Sequence, residues 1–283
     1  MSTTRMRKMK ADGIPISMIT AYDYPSARLA EQAGVDVILV GDSLGNVVLG
    51  YESTLPVTLD DMIYHTKAVT RAVSRPLVVT DLPFLTYHGT IDHTLTQVGR
   101  IMREGLGQAV KMEGGIEIAQ TVDAIVKAGV PVMGHIGLTP QSVFQIGGYK
   151  VQGKTSAQAQ KLLDDALALE QAGAFAIVVE LVTDELSELL TRRLSIPTIG
   201  IGAGKHCDGQ VLVFHDVLQY TADPVPKKFV KAYANLGDHI RDGIARYVQE
   251  VKARSFPAEE HSFHTDLELG QLYGHHRDES DKE

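Results

Sequence analysis

A closed (β/α)8 barrel is the fold this sequence predicts, and three observations predict it. Eight short, almost continuously apolar runs alternate with segments of helical spacing. Strands apolar on both faces belong to parallel sheets covered on both sides. The length, 283 residues, is ordinary for such a barrel. An open doubly wound sheet is the competing arrangement of the same pattern. The expected organisation is one domain over 1–256 with a short N-terminal helix, then a polar, His-bearing tail over 257–283.

Taken in order, residues 1–13 open with a short helix and 16–22 form the first strand. A helix over 25–33 is closed by Gly34 as a left-handed cap, and 35–42 is the second strand. A long connection over 43–57 follows. Thr58 caps a helix with Leu59, Met62, Ile63, Val69 and Val73 on its apolar face. The third strand is 77–81, and Thr90 opens a helix with Ile91, Leu95, Val98 and Met102 in step. The fourth strand, 109–113, leads to a helix marked by Ile118, Val122, Ile125 and Val126, and then to the fifth strand, 131–136. A second long connection runs over 137–154. Thr155 with Gln158 reads as the capping box of a helix through Ala172. The sixth strand is 175–180, the next helix 184–193, the seventh strand 197–202 and the eighth 211–214. The seventh crossover is too short for a full helix. A last helix covers 228–251.

Composition narrows the class. Hydrophobic residues at 44% and charged residues at 22% are ordinary for a globular protein. A net charge of −8 without a basic stripe argues against nucleic acid as partner. No apolar run reaches membrane-spanning length, and the basic first ten residues lack the apolar centre of a signal peptide. The single cysteine, Cys207, cannot form an intrachain disulfide and fits a reducing compartment. The expected location is the cytoplasm.

Five strands finish on an acid: Asp23, Asp42, Asp81, Glu113 and Glu180. In a barrel, catalytic groups come from the C-terminal strand ends, so Ser43, Lys111 and His135 join the candidates. Clustered carboxylates repel one another without a cation. An all-oxygen set suits a hard ion such as Mg²⁺, and Asp42, Asp81 and Glu113 can converge from adjacent strands. Each residue also has a plain structural reading. A strand-end aspartate often caps the next helix, and Asp23, with Pro25 behind it, fits that role best. Lys111 shares a facing with Glu113, where a buried ammonium needs a partner or a substrate carboxylate. His135 can be a hydrogen-bonded core histidine or a participant. Glu180, across the barrel from the other acids, suits a base better than a fourth ligand. The run Gly200–Gly204 either binds phosphate through its N–H groups or only lets the chain turn. His261, His264, His275 and His276 read as a solvated group rather than a metal site.

Several segments together resemble the ketopantoate hydroxymethyltransferase family. They are Met18-Ile-Thr-Ala-Tyr-Asp-Tyr-Pro25, Val40-Gly-Asp-Ser-Leu-Gly-Asn46, Asp81-Leu-Pro-Phe84, Val110-Lys-Met-Glu-Gly114, Gly134-His-Ile-Gly-Leu-Thr-Pro-Gln141, and Gly200-Ile-Gly-Ala-Gly204 with Asp208-Gly-Gln210. The likeness runs from about residue 5 to residue 255. It implies a barrel of the phosphoenolpyruvate/pyruvate type and a large homo-oligomer, typically a decamer. It implies Asp42, Asp81 and Glu113 as Mg²⁺ carboxylates. Asp42, Ser43, Asp81 and Lys111 match the positions that hold a 2-oxo acid, and Glu180 matches the general base. The implied reaction passes through a Mg-stabilised enolate. It moves a hydroxymethyl group from 5,10-methylenetetrahydrofolate to 3-methyl-2-oxobutanoate, giving 2-dehydropantoate for pantothenate synthesis. The loops over 44–57 and 137–154 are the candidates to close over the site. One departure is visible: Gln219 stands where the family pattern has glycine after a leucine. Three rival readings follow from the same residues: an aldolase using Lys111 as a Schiff base, a metal-dependent carbon–carbon lyase of the pyruvate group, and a non-catalytic barrel binding an anion.

Overall fold

The computed structural model describes residues 1–222 and 225–266. It divides into two compact units, Met1–Leu236 and a second beginning at Gly237. The first unit runs α1 (Thr3–Ala11), β1 (Ile16–Thr20), α2 (Tyr24–Gln32), β2 (Val37–Val40), the single turn α3 (Leu44–Val47), α4 (Leu59–Ala72) and β3 (Leu77–Asp81). It continues with α5 (Ile91–Arg100), β4 (Ala109–Glu113), α6 (Ala119–Lys127), β5 (Val132–Gly137), the short α7 (Val143–Ile146) and α8 (Ser156–Gln171). The last elements are β6 (Ala176–Glu180), α9 (Asp184–Arg193), β7 (Thr198–Ile201), β8 (Gly209–Val213) and α10 (Phe214–Leu218). All eight strands are parallel and β8 closes on β1, with Ile16 opposite Gly209 and Thr20 opposite Val213. Closure excludes the doubly wound sheet.

Side chains alternate across each strand, and that period of two builds the interior. Ile16, Met18, Val37, Leu39, Leu77, Val79, Ala109, Met133, Ala176, Val178, Ile199 and Val211 form one buried cluster. Met6 and Met9 of α1 join it, each contributing about 1.5–3 kcal/mol of burial. One inward step beyond this apolar layer come Asp81, Lys111, His135 and Glu180, with Glu113 two residues past Lys111. Register fixes their heights: Asp81 lies opposite Lys111, and Glu113 opposite His135.

The local signals hold with a few differences. Thr58 and Asp61 form a reciprocal capping box on α4. At α8 only half the box forms: Thr155 accepts the Gln158 N–H, but the Gln158 side chain takes the N–H of Lys154. The β7–β8 connection has no helix. Strand β8 begins two residues earlier than expected, because the Asp208 carboxylate accepts from Thr198 N and draws the chain into register. Phe214, expected as its last residue, starts α10 instead.

The last helix, α11, spans Leu236–Lys252 rather than 228–251. The preceding stretch is held by tertiary contacts: Phe229 lines the barrel cavity, and Tyr233 N donates to Val217 O at 2.8 Å. Within the second unit Phe256 packs on Tyr247 and His261. His261 and His264 face their neighbours Glu260 and Glu259. His275 and His276 lie outside the described residues.

Gln219 caps α10 with φ 48°, ψ 46°, the left-handed region that glycine adopts most easily. For an L-residue that conformation costs roughly 1–2 kcal/mol, part of which glycine returns as unfolded-chain entropy. Gln219→Gly is therefore expected to stabilise the protein by up to about 1 kcal/mol, read as a higher urea midpoint; a lower midpoint contradicts this account.

Candidate active site

A cavity of about 400 Å³ opens at the C-terminal mouth of the barrel. Its polar wall carries Asp42, Ser43, Asp81, Lys111, Glu113, His135 and Glu180, and its apolar wall includes Val178, Ile201, Val211 and Val213. Asn46, Val47 and Thr54 of one long connection and Pro140 and Tyr149 of the other also line it, as do Phe229 and the ion-paired Asp216 and Lys227. Seven of the eight candidate residues thus converge. The eighth, Asp23, does not: it caps α2, accepting from Ser26 N at 2.8 Å and Ser26 Oγ at 2.6 Å.

Lys111 is the centre of the cluster. Its Nζ lies 3.0 Å from Asp81 Oδ1, 3.0 Å from His135 Nδ1 and 3.9 Å from Glu113 Oε1. Asp81 Oδ1 has no hydrogen-bond donor beyond that ion-pair contact. Asp42 N donates to Asp81 Oδ2 at 3.1 Å. Gly41 makes this approach possible, because a Cβ there would sit 3.0 Å from Ser43 Oγ and 3.1 Å from Thr20 Cγ2. Ser43 Oγ is hydrogen-bonded to the Tyr22 hydroxyl at 2.8 Å.

His135 lies within the cluster, with both ring nitrogens toward charged side chains. Its Nδ1 faces Lys111 and, at 3.4 Å, Glu113 Oε1, while Nε2 lies 3.2 Å from Glu180 Oε2, off ideal hydrogen-bond geometry. The ring accepts from the lysine when neutral and donates to Glu113 when protonated. Glu180 ends β6, across the closed barrel from β2 and Asp42, and the His135 imidazole on β5 lies between it and Glu113.

Electrostatics follow from crowding. Burial, then the charges of Asp81 and Glu113, push Asp42 well above the usual carboxylate range. Burial also raises Asp81, against the pull of Lys111. Burial acts upward on Glu113 too, but His135, Lys111 and the Gln141 N–H outweigh it and hold Glu113 low. Burial works to neutralise Lys111, yet Asp81, Glu113 and Asp42 raise it above its ordinary value. For His135, burial and Lys111 push downward and the two glutamates prevail, lifting it to about 9.

Two residues of the site are not among the candidate side chains, although Gln141 closes one of the segments that carry the family resemblance. Gln141 Nε2 donates to Asp42 Oδ2 at 2.8 Å and to Leu82 O at 2.9 Å, and its backbone N–H donates to Glu113 Oε2 at 2.9 Å. The Tyr87 hydroxyl bonds Gln141 Oε1 at 2.8 Å and accepts from Glu113 N at 3.1 Å. Gln141 sits in a loop after a barrel strand, a place that invites attention, but nothing in a lone amide distinguishes it. Leu181, directly after Glu180, has φ 46° and is held by Leu181 N to Ile201 O and by Gln152 N to Leu181 O. The Gly200–Gly204 run is a packing turn: a Cβ on Gly202 would meet Leu181 and Phe229, and one on Gly204 would overlap the Asp184 carboxylate. That carboxylate also disfavours an anion there.

The donor set fits a hard divalent cation. It is all oxygen and self-repelling, and its buried Asp81 Oδ1 has the Lys111 ammonium as its one partner. Among the described residues no group of three or more acids, histidines or cysteines is arranged to hold a metal ion by itself. One or two protein carboxylates with water and substrate oxygens are what Mg²⁺ commonly takes.

The family profile for ketopantoate hydroxymethyltransferase matches residues 1–259. The chain belongs to that family. The chain is 58% identical over 266 residues to the 3-methyl-2-oxobutanoate hydroxymethyltransferase of Shouchella clausii (strain KSM-K16), covering 94% of this chain and 95% of the relative. The enzyme of the same name from Thermoanaerobacter sp. (strain X514) is 56% identical over 262 residues, 93% of this chain and 95% of its own. Among solved structures, 2,3-dimethylmalate lyase, a PEP mutase/isocitrate lyase superfamily member, aligns with TM-score 0.58 at 16% identity, covering 96% and 93% of the two chains. Phosphonopyruvate hydrolase aligns with TM-score 0.58 at 15% identity, covering 92% and 93%. These structural likenesses concern the barrel alone and bear out the fold type.

Removing the ammonium tests the electrostatic account. Lys111→Met leaves the acids uncompensated, at a cost of about 3 kcal/mol in metal-free protein near pH 8. Raised carboxyls bind more protons folded than unfolded, so stability falls as pH climbs through their folded range. The loss is expected to be smaller at pH 5, by urea denaturation at the two pH values; an equal loss at both contradicts it.

Proposed function

We propose that this chain transfers a hydroxymethyl group from 5,10-methylenetetrahydrofolate to 3-methyl-2-oxobutanoate, forming 2-dehydropantoate and tetrahydrofolate. The observation that carries the mechanism is the division of acids in one cavity. Asp42, Asp81 and Glu113 gather around Lys111, while Glu180 stands beyond His135.

Asp42, Asp81 and Glu113 are the residues that would hold Mg²⁺, which when bound supplies Lewis-acid polarisation of the oxo acid. The Lys111 ammonium offsets the negative charge of the substrate carboxylate, and Ser43 offers a hydroxyl beside it. The apolar wall of Val178, Ile201, Val211 and Val213 suits the branched alkyl end of the oxo acid. Glu180 takes the C3 proton onto its carboxylate, and the His135 ring beside Oε2 orients that group. One water is consumed in the transfer: the two C–N bonds of the folate methylene break, the freed nitrogens take the water's protons to give tetrahydrofolate, and the one-carbon unit keeps the water's oxygen. The enolate carbon bonds to that carbon, and its oxygen takes the proton held by Glu180 to become the hydroxymethyl group. Lys111 is held charged by three carboxylates. A Schiff-base nucleophile needs the opposite, a depressed lysine, which argues against the aldolase reading.

Glu180→Gln is expected to slow C3 deuterium exchange of the oxo acid by about 10²–10⁴-fold while leaving its binding largely intact. Exchange at the wild-type rate removes Glu180 as the base. In the same assay, product analysis separates 2-dehydropantoate from the pyruvate or glyoxylate a lyase releases.

Self-assembly into a homo-oligomer is supported by the surface of α11. Ile240, Ile244, Tyr247, Val248 and Val251 recur at helical spacing there and are all exposed. Light scattering is expected to give several times the chain mass, with the decamer as the family's size; a monomer at micromolar concentration rejects assembly. Among the described residues no helix is long and apolar enough to cross a membrane.

A further inference from the structure

The three acids at the proposed metal site share one arrangement: each has one oxygen held by an amide N–H, while the other takes no amide donor and, in Asp81 and Glu113, faces only the cationic side chains. Asp81 Oδ2 accepts from Asp42 N, leaving Oδ1 toward Lys111. Asp42 Oδ2 accepts from the Gln141 side chain, leaving Oδ1. Glu113 Oε2 accepts from the Gln141 backbone N–H, leaving Oε1 toward Lys111 and His135. Two of the three engaged oxygens therefore answer to one residue, on a loop that supplies no acid itself.

The Gln141 amide cannot simply turn over. It is buried, and Leu82 O, which only accepts, lies 2.9 Å from Nε2. The Tyr87 hydroxyl meets Oε1 from the other side at 2.8 Å. With the nitrogen so assigned, its remaining N–H points at Asp42 Oδ2. An aspartate pinned in that way offers a cation one oxygen. That limit bears on ion choice. Mg²⁺ is small, demands octahedral geometry and takes carboxylates one oxygen at a time with water completing its shell, whereas Ca²⁺ takes more oxygens and accepts bidentate carboxylates.

We propose that Gln141 sets the ion preference of this site, occupying one oxygen of Asp42 and one of Glu113 so that each can offer a cation only the other, and so favouring Mg²⁺ over Ca²⁺. The proposal rests on the reading of Asp42, Asp81 and Glu113 as a divalent-metal site. Gln141 is a positioning residue in this scheme, acting through the carboxylates it holds.

The test is calorimetric titration of the full-length protein with MgCl₂ and with CaCl₂, with and without the oxo acid, for wild type, Gln141→Leu and Asp42→Asn. Gln141→Leu keeps the volume and the backbone N–H but frees Asp42 Oδ2. Its Mg²⁺ affinity is expected to fall about tenfold, as for other groups that orient metal ligands, while Ca²⁺ affinity holds or rises. Equal weakening of both ions, the mark of a merely structural role, overturns the proposal, and so does an unchanged ratio. Asp42→Asn separates the two levels: if it binds Mg²⁺ as wild type does, the metal-site reading itself fails. Should Gln141→Leu not fold, Tyr87→Phe releases the amide from its other side. The ratio is expected to move the same way there, and an unmoved ratio overturns the proposal.

Discussion

One buried ammonium among three buried carboxylates is the interaction on which the mouth of this barrel depends. Without Lys111, the Asp42, Asp81 and Glu113 side chains would face one another in a region that water barely reaches. With it, part of the negative charge is offset at a cost in flexibility: each group is held at a distance set by strand register. The barrel supplies that register. Adjacent parallel strands place Asp81 level with Lys111 and Glu113 level with His135. The apolar layer beneath, stoppered by α1, keeps those heights from shifting.

Division of labour follows from position around the ring. Acids from β2, β3 and β4 share the lysine, and β5 contributes the imidazole. β6 contributes a carboxylate that lies against that imidazole. A chemical step that needs charge stabilisation at one place and proton removal at another finds both within a single cavity. The remaining wall, from β6, β7 and β8, is apolar and excludes competing hydrogen bonds.

Much of this was legible in the sequence because strand periodicity is local. Asp81, Lys111, Glu113 and Glu180 occupy inward positions that a period of two assigns without reference to any other segment. Asp23 was legible for the same reason, since Pro25 announced a helix start. What could not be read depended on contacts between distant segments. Gln141 meets Asp42 across 99 positions of chain, and a lone glutamine in a loop carries no pattern. The start of α11 was misjudged because Phe229 and Tyr233 are drawn into tertiary contacts that override helical spacing. His135 stood open between two readings until the strand beside it was placed. The Gly200–Gly204 run was equally open, and the Asp184 carboxylate against Gly204 decides for a turn.

Leu181 gives the site a mechanical property of its own. A leucine with positive φ is a spring held compressed, at a cost of roughly 1–2 kcal/mol. Its two latches are the carbonyl of Ile201 on β7 and the N–H of Gln152 in the loop after β5. The residue it adjoins is Glu180. The loop after β5 and the backbone next to Glu180 are thus tied to each other at one strained residue.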